Sequence, residues 1–335
     1  VCLLAFGVHA TTMVVKLIST LKPGANIESH VSERREGFDI KHIYSTVFNG
    51  YAAALSPPTL KAIRSSSDVQ NIELDQTFVL PEETASLAYT QLGRAKVPLE
   101  KKADGGAGVD IYFFDTGIDI TKSCFGGRAR WGATFGGYPD ALCAEAGGTA
   151  TSASGVAVKV LSDSGSGTTS AIISGINWAV QQRQSTGRPS VGVMAIAGAA
   201  STAMDNAVAA AVNAGFHMVV TAGFSNTPIS NVSPARVSGA VTVGALPRTK
   251  AYPPNSNYGA GLDVWSFYPI ACPAGIAGCT TPTNSVSYVG AYMAVAIGSH
   301  GDKTPAALTT DLKSHAVPDV TGVPEGTTNL RAVLW

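Results

Sequence analysis

The sequence predicts an α/β chain, a doubly wound and mostly parallel sheet with helices on both faces, preceded by a small α+β domain. Three observations carry this reading. From Gly108 onward, short runs of Val, Ile, Ala and aromatic residues alternate with Ala-rich stretches of helical period, and near-continuous apolar strands belong to sheets covered on both faces. From Met13 to about Phe78 the pattern is instead strand, helix, strand, strand, helix, strand, a module of its own. Between them Leu80-Pro81-Glu82-Glu83-Thr84-Ala85 reads as an exposed boundary. A chain of 335 residues has core enough for one large domain and one small one.

Residues 1–12 open on the apolar run Val1 to Val8, too short to span a bilayer. The run ends in Val8-His9-Ala10, small residues at a spacing that a signal peptidase accepts, so this segment is expected to be the remnant of a signal peptide. In the small domain, residues 13–80, Met13-Val14-Val15-Lys16-Leu17 is the first strand and Asn49 to Leu55 a central one. Ser56 caps a helix whose early prolines, Pro57 and Pro58, suit the first turn. Val69 to Leu74 closes the module as an alternating strand.

Residues 81–105 are expected to form the linker and the start of the large domain, which occupies 106–335. There Gly108 to Asp115, Val156 to Leu161, Val191 to Ile196, His217 to Ala222 and Ala240 to Gly244 read as strands, with Ser170 to Gln182 and Ser201 to Ala214 as helices. No internal repeat or low-complexity tract is found.

Lys plus Arg balances Asp plus Glu at 23 each, and only 14% of residues are charged. That composition points away from nucleic acid or an anionic membrane as partner. It fits a compact, secreted globule, and the chain is expected to be a monomer. Of five cysteines, Cys272 and Cys279 flank a Pro/Gly loop and are a candidate local bridge, and Cys124 with Cys143 is a second candidate pair, leaving Cys2 odd. No Cys/His cluster has zinc spacing. Asn231-Val232-Ser233 is a glycosylation acceptor pattern, weakened by Pro234.

The residues that point to chemistry are Asp115-Thr116-Gly117, which place a carboxylate at the C-terminal end of a buried strand. Open α/β sheets build their sites on that edge, and a buried carboxylate there can orient and charge-stabilise a histidine. Further phrases follow in order: Val158-Lys159-Val160-Leu161 with Ser164-Gly165-Ser166-Gly167, then Gly175-Ile176-Asn177-Trp178, Ser256-Asn257-Tyr258-Gly259 and Gly326-Thr327-Thr328-Asn329-Leu330. In the small domain, Leu21-Lys22-Pro23-Gly24-Ala25 and Val69-Gln70-Asn71-Ile72-Glu73 stand out. Together these resemble the subtilisin-like serine proteases, and within them the fungal proteinase K-like branch.

The resemblance implies a subtilisin-like sheet preceded by a ferredoxin-like propeptide that acts as chaperone and inhibitor. It assigns Asp115 to the catalytic aspartate. It assigns Ser164, Gly165, Ser166 and Gly167, together with Ala195, Ile196, Ala197, Gly198, Ala222 and Gly223, to the walls of the groove that holds an extended peptide substrate or the chain's own propeptide. No cofactor is required, and a structural Ca²⁺ is implied at Asp263 with the carbonyls of Ser238 and Ala240, a donor set of hard oxygens.

The chain departs from the pattern where the chemistry is done. A His-Gly-Thr-His phrase is expected between Asp115 and Val156, yet Tyr138 to Thr149 holds no histidine. The Gly-Thr-Ser phrase of the nucleophile is expected after Ser287, which instead runs straight into Tyr288-Val289-Gly290. At the oxyanion position Thr221-Ala222-Gly223-Phe224 offers a phenyl ring in place of an amide donor, and loss of such a donor costs roughly a hundred- to thousand-fold in rate.

Replacements are poor. His217 lies in an apolar strand and reads as a core histidine; His300 and His315 read as surface or helix-end positions. Ser287 has no histidine partner and no exposed elbow. Asp115 with Asp163 superficially resembles an aspartic-protease pair, but alternating strands and helices contradict that β-rich, two-fold architecture. The sequence therefore predicts a proteolytically inactive homologue of a secreted subtilisin-like endopeptidase. Two alternatives stay open: an active endopeptidase whose sequence here lacks short segments, and a peptide-binding or inhibitor-like pseudo-protease.

Overall fold

The computed structural model describes residues 14–32, 37–79, 105–121, 125–139, 150, 152–268 and 285–335. These form two compact units, one made of 14–44 with Asn49–Asp75 and one made of Ser45–Phe48 with 76–335. All five cysteines, the boundary at 80–85 and the N-terminal segment 1–12 lie outside the described residues.

The first unit runs β1 (Val15–Leu21), α1 (Ile27–Ser32), β2 (Phe38–Tyr44), β3 (Gly50–Leu55), α2 (Pro57–Arg64) and β4 (Val69–Leu74). Its sheet has the order β2-β3-β1-β4 and is antiparallel throughout. Every residue of β3 is buried, as its run of small apolar side chains requires, and Leu17, Leu21, Tyr51, Leu55 and Ile63 close the core. The Ser56 side chain accepts from the Thr59 N–H at the start of α2, and Pro57 fills a first-turn position that needs no donor.

The second unit begins with the three-residue strand β5 (Thr77–Val79). Its main sheet is built from β6 (Asp110–Asp115), β7 (Ala129–Thr134), β8 (Ser154–Lys159), β10 (Ser190–Met194), β12 (His217–Thr221), β14 (Val241–Leu246) and β15 (Val264–Phe267). Two small ladders complete the strands: β5 with β9 (Ser166–Thr168), and β11 (Gly198–Ala199) with β13 (Val232–Ser233), both antiparallel. The seven-stranded order is β15-β14-β12-β10-β6-β8-β7, and every pairing is parallel.

Helices α3 (Thr169–Thr186) and α5 (Ser285–His300) cover opposite faces of this sheet. A Cβ added at Gly175 in α3 would meet Val158, Val160 and Phe114, whereas one at Gly290 in α5 would meet Val193 and Val191. Successive strand side chains alternate between faces. Ile111 and Phe113 accordingly pack with α5, and Tyr112, edge-on to Trp178, with α3. Helix α4 (Thr202–Asn213) lies beside α3, capped by Ser201 on the Met204 N–H, and α6 (Pro305–His315) follows α5.

The helix expected over Ser170 to Gln182 runs four residues further, to Thr186, ending where Gly187 adopts a left-handed φ of 66°. The expected strands stand within a few residues of their predicted bounds. The sheet gains β7 and β15 at its edges, which the sequence reading left unassigned.

Candidate active site

Because all seven strands run the same way, their C-terminal ends share one edge. Asp115 is the last residue of β6, in register with Lys159, the last residue of β8. On the other side Met194 ends β10 beside Phe114, leading into Ala195 and Ile196, and β12 leads into Ala222, Gly223 and Phe224. The edge therefore gathers Asp115, the segment Ala195 to Gly198 and the loop Ala222 to Phe224.

Asp115 is buried, 4% exposed. Its Oδ1 accepts from the Thr116 N–H at 2.6 Å, and its carbonyl accepts from the N–H groups of Val160 and Leu161 at 2.9 and 3.2 Å. Gly117 turns the chain with φ 115°, a backbone that suits only glycine. Burial pushes the Asp115 carboxyl up from 3.8 to about 7, against the opposing pull of the Thr116 hydrogen bonds and the Lys159 charge. Lys159 is itself fully buried, with its ammonium on the Thr116 carbonyl and the Asp163 carboxylate, both at 2.5 Å, and 5.8 Å from the Tyr138 ring centroid. Asp163 is thus engaged by the Lys159 ammonium.

The loop Ser164 to Gly167 is held from within. Ser162 Oγ sits 2.9 Å from Ser164 Oγ and accepts the Ser166 N–H at 3.1 Å, and Gly165 has φ 80°. A side chain at Gly167 would collide with the Val160 carbonyl. These constraints present β9 as an edge strand, and Thr77–Val79 lies antiparallel on it, Phe78 opposite Gly167. Phe78 is buried, and its ring lies so close to Gly198 that a Cβ there would overlap it.

Asn257, buried and unassigned by the sequence reading beyond its phrase, fixes the Ala222 to Phe224 loop. Its Nδ2 donates to the Ala222 carbonyl at 2.8 Å, and its Oδ1 accepts from the Ser225 and Thr227 N–H groups at 2.9 and 3.0 Å. Phe224 is half-buried on this loop. The loop is tied down by these bonds, and the Phe224 side chain has no donor for an oxyanion.

None of the alternative residues is a hydrogen-bond partner of Asp115 among the described residues. His217 starts β12, at the opposite end of the sheet, with Nε2 2.9 Å from Asp302 Oδ1. The expected core histidine is thus also a hydrogen-bond partner of Asp302. Ser287 is buried in α5, and its hydroxyl has no hydrogen-bond partner among the described residues. His300 and His315 are exposed at the ends of α5 and α6, with His315 stacked on Trp335.

At the implied calcium position, the residues do not fit the ion. Asp263 Oδ2 accepts from the Thr242 N–H and Oδ1 holds the Lys313 ammonium, each at 2.9 Å. Ala240 is buried and Ser238 exposed. A divalent cation on Asp263 would meet a lysine ammonium on the same carboxylate. No group of three or more metal-ligating side chains occurs among the described residues.

A parallel α/β sheet with a buried aspartate at the end of an interior strand, preceded by an antiparallel α+β module, is the architecture of the subtilisin type. Residues 10–80 match the peptidase inhibitor I9 family and residues 131–305 the subtilase family. The chain is 34% identical to "Subtilisin-like protease 2" of Pseudogymnoascus destructans, over 92% of this chain and 84% of that protein. It is 32% identical to "Subtilisin-like protease 4" of Trichophyton equinum, over 97% and 86%. A cold adapted subtilisin-like serine proteinase of known crystal structure superposes with a TM-score of 0.62 at 29% identity, covering 77% of this chain and 98% of that one. The chain belongs to the subtilase family.

Proposed function

We propose that this chain is a secreted, monomeric subtilase that does not hydrolyse peptide bonds. The observation that carries the reading is that the sequence around Asp115 lacks the partners of a triad: Tyr138 to Thr149 holds no histidine, Ser287 runs straight into Tyr288, and Phe224 stands in place of an oxyanion donor. A triad aspartate acts through a histidine, and the sequence has none between His42 and His217. Without base, nucleophile or oxyanion donor, Asp115 is left as a buried carboxyl with no imidazolium beside it to keep it ionised at neutral pH. Among the described residues no helix is long and apolar enough to cross a membrane.

The retained capacity in this reading is peptide binding. Thr77–Val79 on β9 is an added strand, the mode in which main-chain hydrogen bonds give affinity and pockets for alternate side chains give specificity. The edge supports an extended ligand, whether the chain's own N-terminal segment or a peptide from another protein. The test is turnover of casein and of a fluorogenic peptide by the purified chain. The expected result is no turnover above a buffer control; steady turnover selects the alternative, an active endopeptidase.

A further inference from the structure

Four strand spacings from Asp115, at the β15 end of the sheet, a cavity of about 160 Å³ opens between the end of that strand and α5. It lies roughly 19 Å from the catalytic edge position, counting 4.8 Å per strand, and peptide binding at the β9 edge does not use it. It is lined by Ser266, Phe267, Tyr288, Tyr292 and the segment Ala332 to Leu334, and two guanidinium groups, Arg248 and Arg331, border it.

The two cations share one aromatic ring. The Arg248 guanidinium lies 4.6 Å and that of Arg331 5.1 Å from the Phe267 ring centroid. Arg331 is already committed, with Nε and Nη2 on the two oxygens of Asp319 at 2.9 and 2.8 Å. Lys250 shares the same carboxylate at 2.7 Å. Arg331's hydrogen bonds hold Asp319 down at about 2, so this anion is fully charged and fully used. Arg248 has no ion-pair partner among the described residues and stands exposed at the mouth. The corner thus carries three cations against one carboxylate, with the surplus charge at the cavity entrance.

The walls specify the rest of the ligand. Tyr288 is buried and Tyr292 half-buried, and burial raises both phenols, keeping them neutral donors at physiological pH. A cavity of this size accepts a single aromatic ring. Aromatic walls favour edge or offset ring contacts, and a free guanidinium favours a carboxylate. We propose that this cavity binds a one-ring aryl carboxylate, with its ring against Phe267 and Tyr292 and its carboxylate on Arg248. The same chemistry is presented by a free aryl acid and by an aromatic residue at a peptide C-terminus.

The test is titration of the full chain, by calorimetry and ligand-observed NMR, with phenylacetate, its neutral isostere phenylacetamide, and N-acetylphenylalanine. The expected result is saturable binding of phenylacetate, with the amide weaker by roughly tenfold or more. Arg248→Gln is expected to weaken phenylacetate to a similar degree while leaving the thermal midpoint unchanged, since Arg248 is exposed. Binding of N-acetylphenylalanine alongside phenylacetate assigns the site to peptide termini; binding of phenylacetate alone assigns it to free acids. Absence of saturation into the millimolar range, equal binding of acid and amide, or unaltered binding to R248Q overturns the proposal.

Discussion

Replacing Asp115 by asparagine should stabilise this protein at alkaline pH. Burial raises the carboxyl from 3.8 to about 7, so between about pH 4 and pH 7 the native state holds a proton that the unfolded chain has released. Stability therefore falls as pH rises through that window and is flat on either side. Each pH unit of displacement is worth about 1.4 kcal/mol, which gives about 4 kcal/mol in all at pH 8. The substituted amide would keep an oxygen for the Thr116 N–H and carry no charge to desolvate. A cost of about 1 kcal/mol for placing its nitrogen is expected. Urea unfolding of parent and D115N at pH 4 and pH 8 measures the difference. The variants should lie within about 1 kcal/mol at pH 4 and diverge by about 3 at pH 8, with D115N the more stable. Parallel pH profiles, or a D115N that is weaker at pH 8, refute the argument that burial of Asp115 outweighs its Thr116 hydrogen bonds and the Lys159 charge.

Further outcomes follow from other contacts. Because Lys313 sits on Asp263, the thermal midpoint of the parent should not respond to Ca²⁺ or to EDTA, whereas Lys313→Met should gain a Ca²⁺-dependent rise; loss of stability of the parent in EDTA contradicts this. Gly198→Val should displace the Phe78 ring and cost about 1–3 kcal/mol, with faster amide exchange in Thr77–Val79; unchanged exchange there removes the support for a seated strand. Asp319 is held near 2 by Arg331, so the stability it confers is present above about pH 4 and lost as pH falls towards 2. Asp319→Asn should cost about 1–3 kcal/mol at pH 7 and nearly nothing at pH 2, read from urea midpoints.

The central strands were legible because a sheet covered on both faces demands uninterrupted apolar runs, and β6, β10 and β12 have them. The edge strands were not. Ala129–Thr134 carries Arg130 and Gly132, is covered less completely, and reads as a loop. Strands β5 and β9 are three residues each and exist through one another, a pairing across almost ninety residues that no local pattern announces. The Ser56 cap was readable because the bond it makes lies three residues away.

The same division holds in the site. Asp115 ends a strand and announces itself. Lys159 looks like the polar member of an ordinary Val-Lys-Val run, yet it is fully buried, because Thr116 and Asp163, distant and near in sequence, converge on its ammonium. Asn257 belongs to a recognisable phrase, but its work of tying down the loop before Phe224 depends on carbonyls and amides some thirty residues earlier. His217 was readable as buried; its pairing with Asp302, eighty-five residues away, was not.

The central claim, that a subtilase fold here retains its aspartate and binding edge without a working nucleophile, is tested most directly by intact-mass analysis after reaction with a fluorophosphonate. Such reagents modify a serine only when its hydroxyl is exposed and activated. The account predicts an unaltered mass, Ser287 included, under conditions that fully label an active subtilase control. A stoichiometric adduct mapping to any serine of this chain would contradict it.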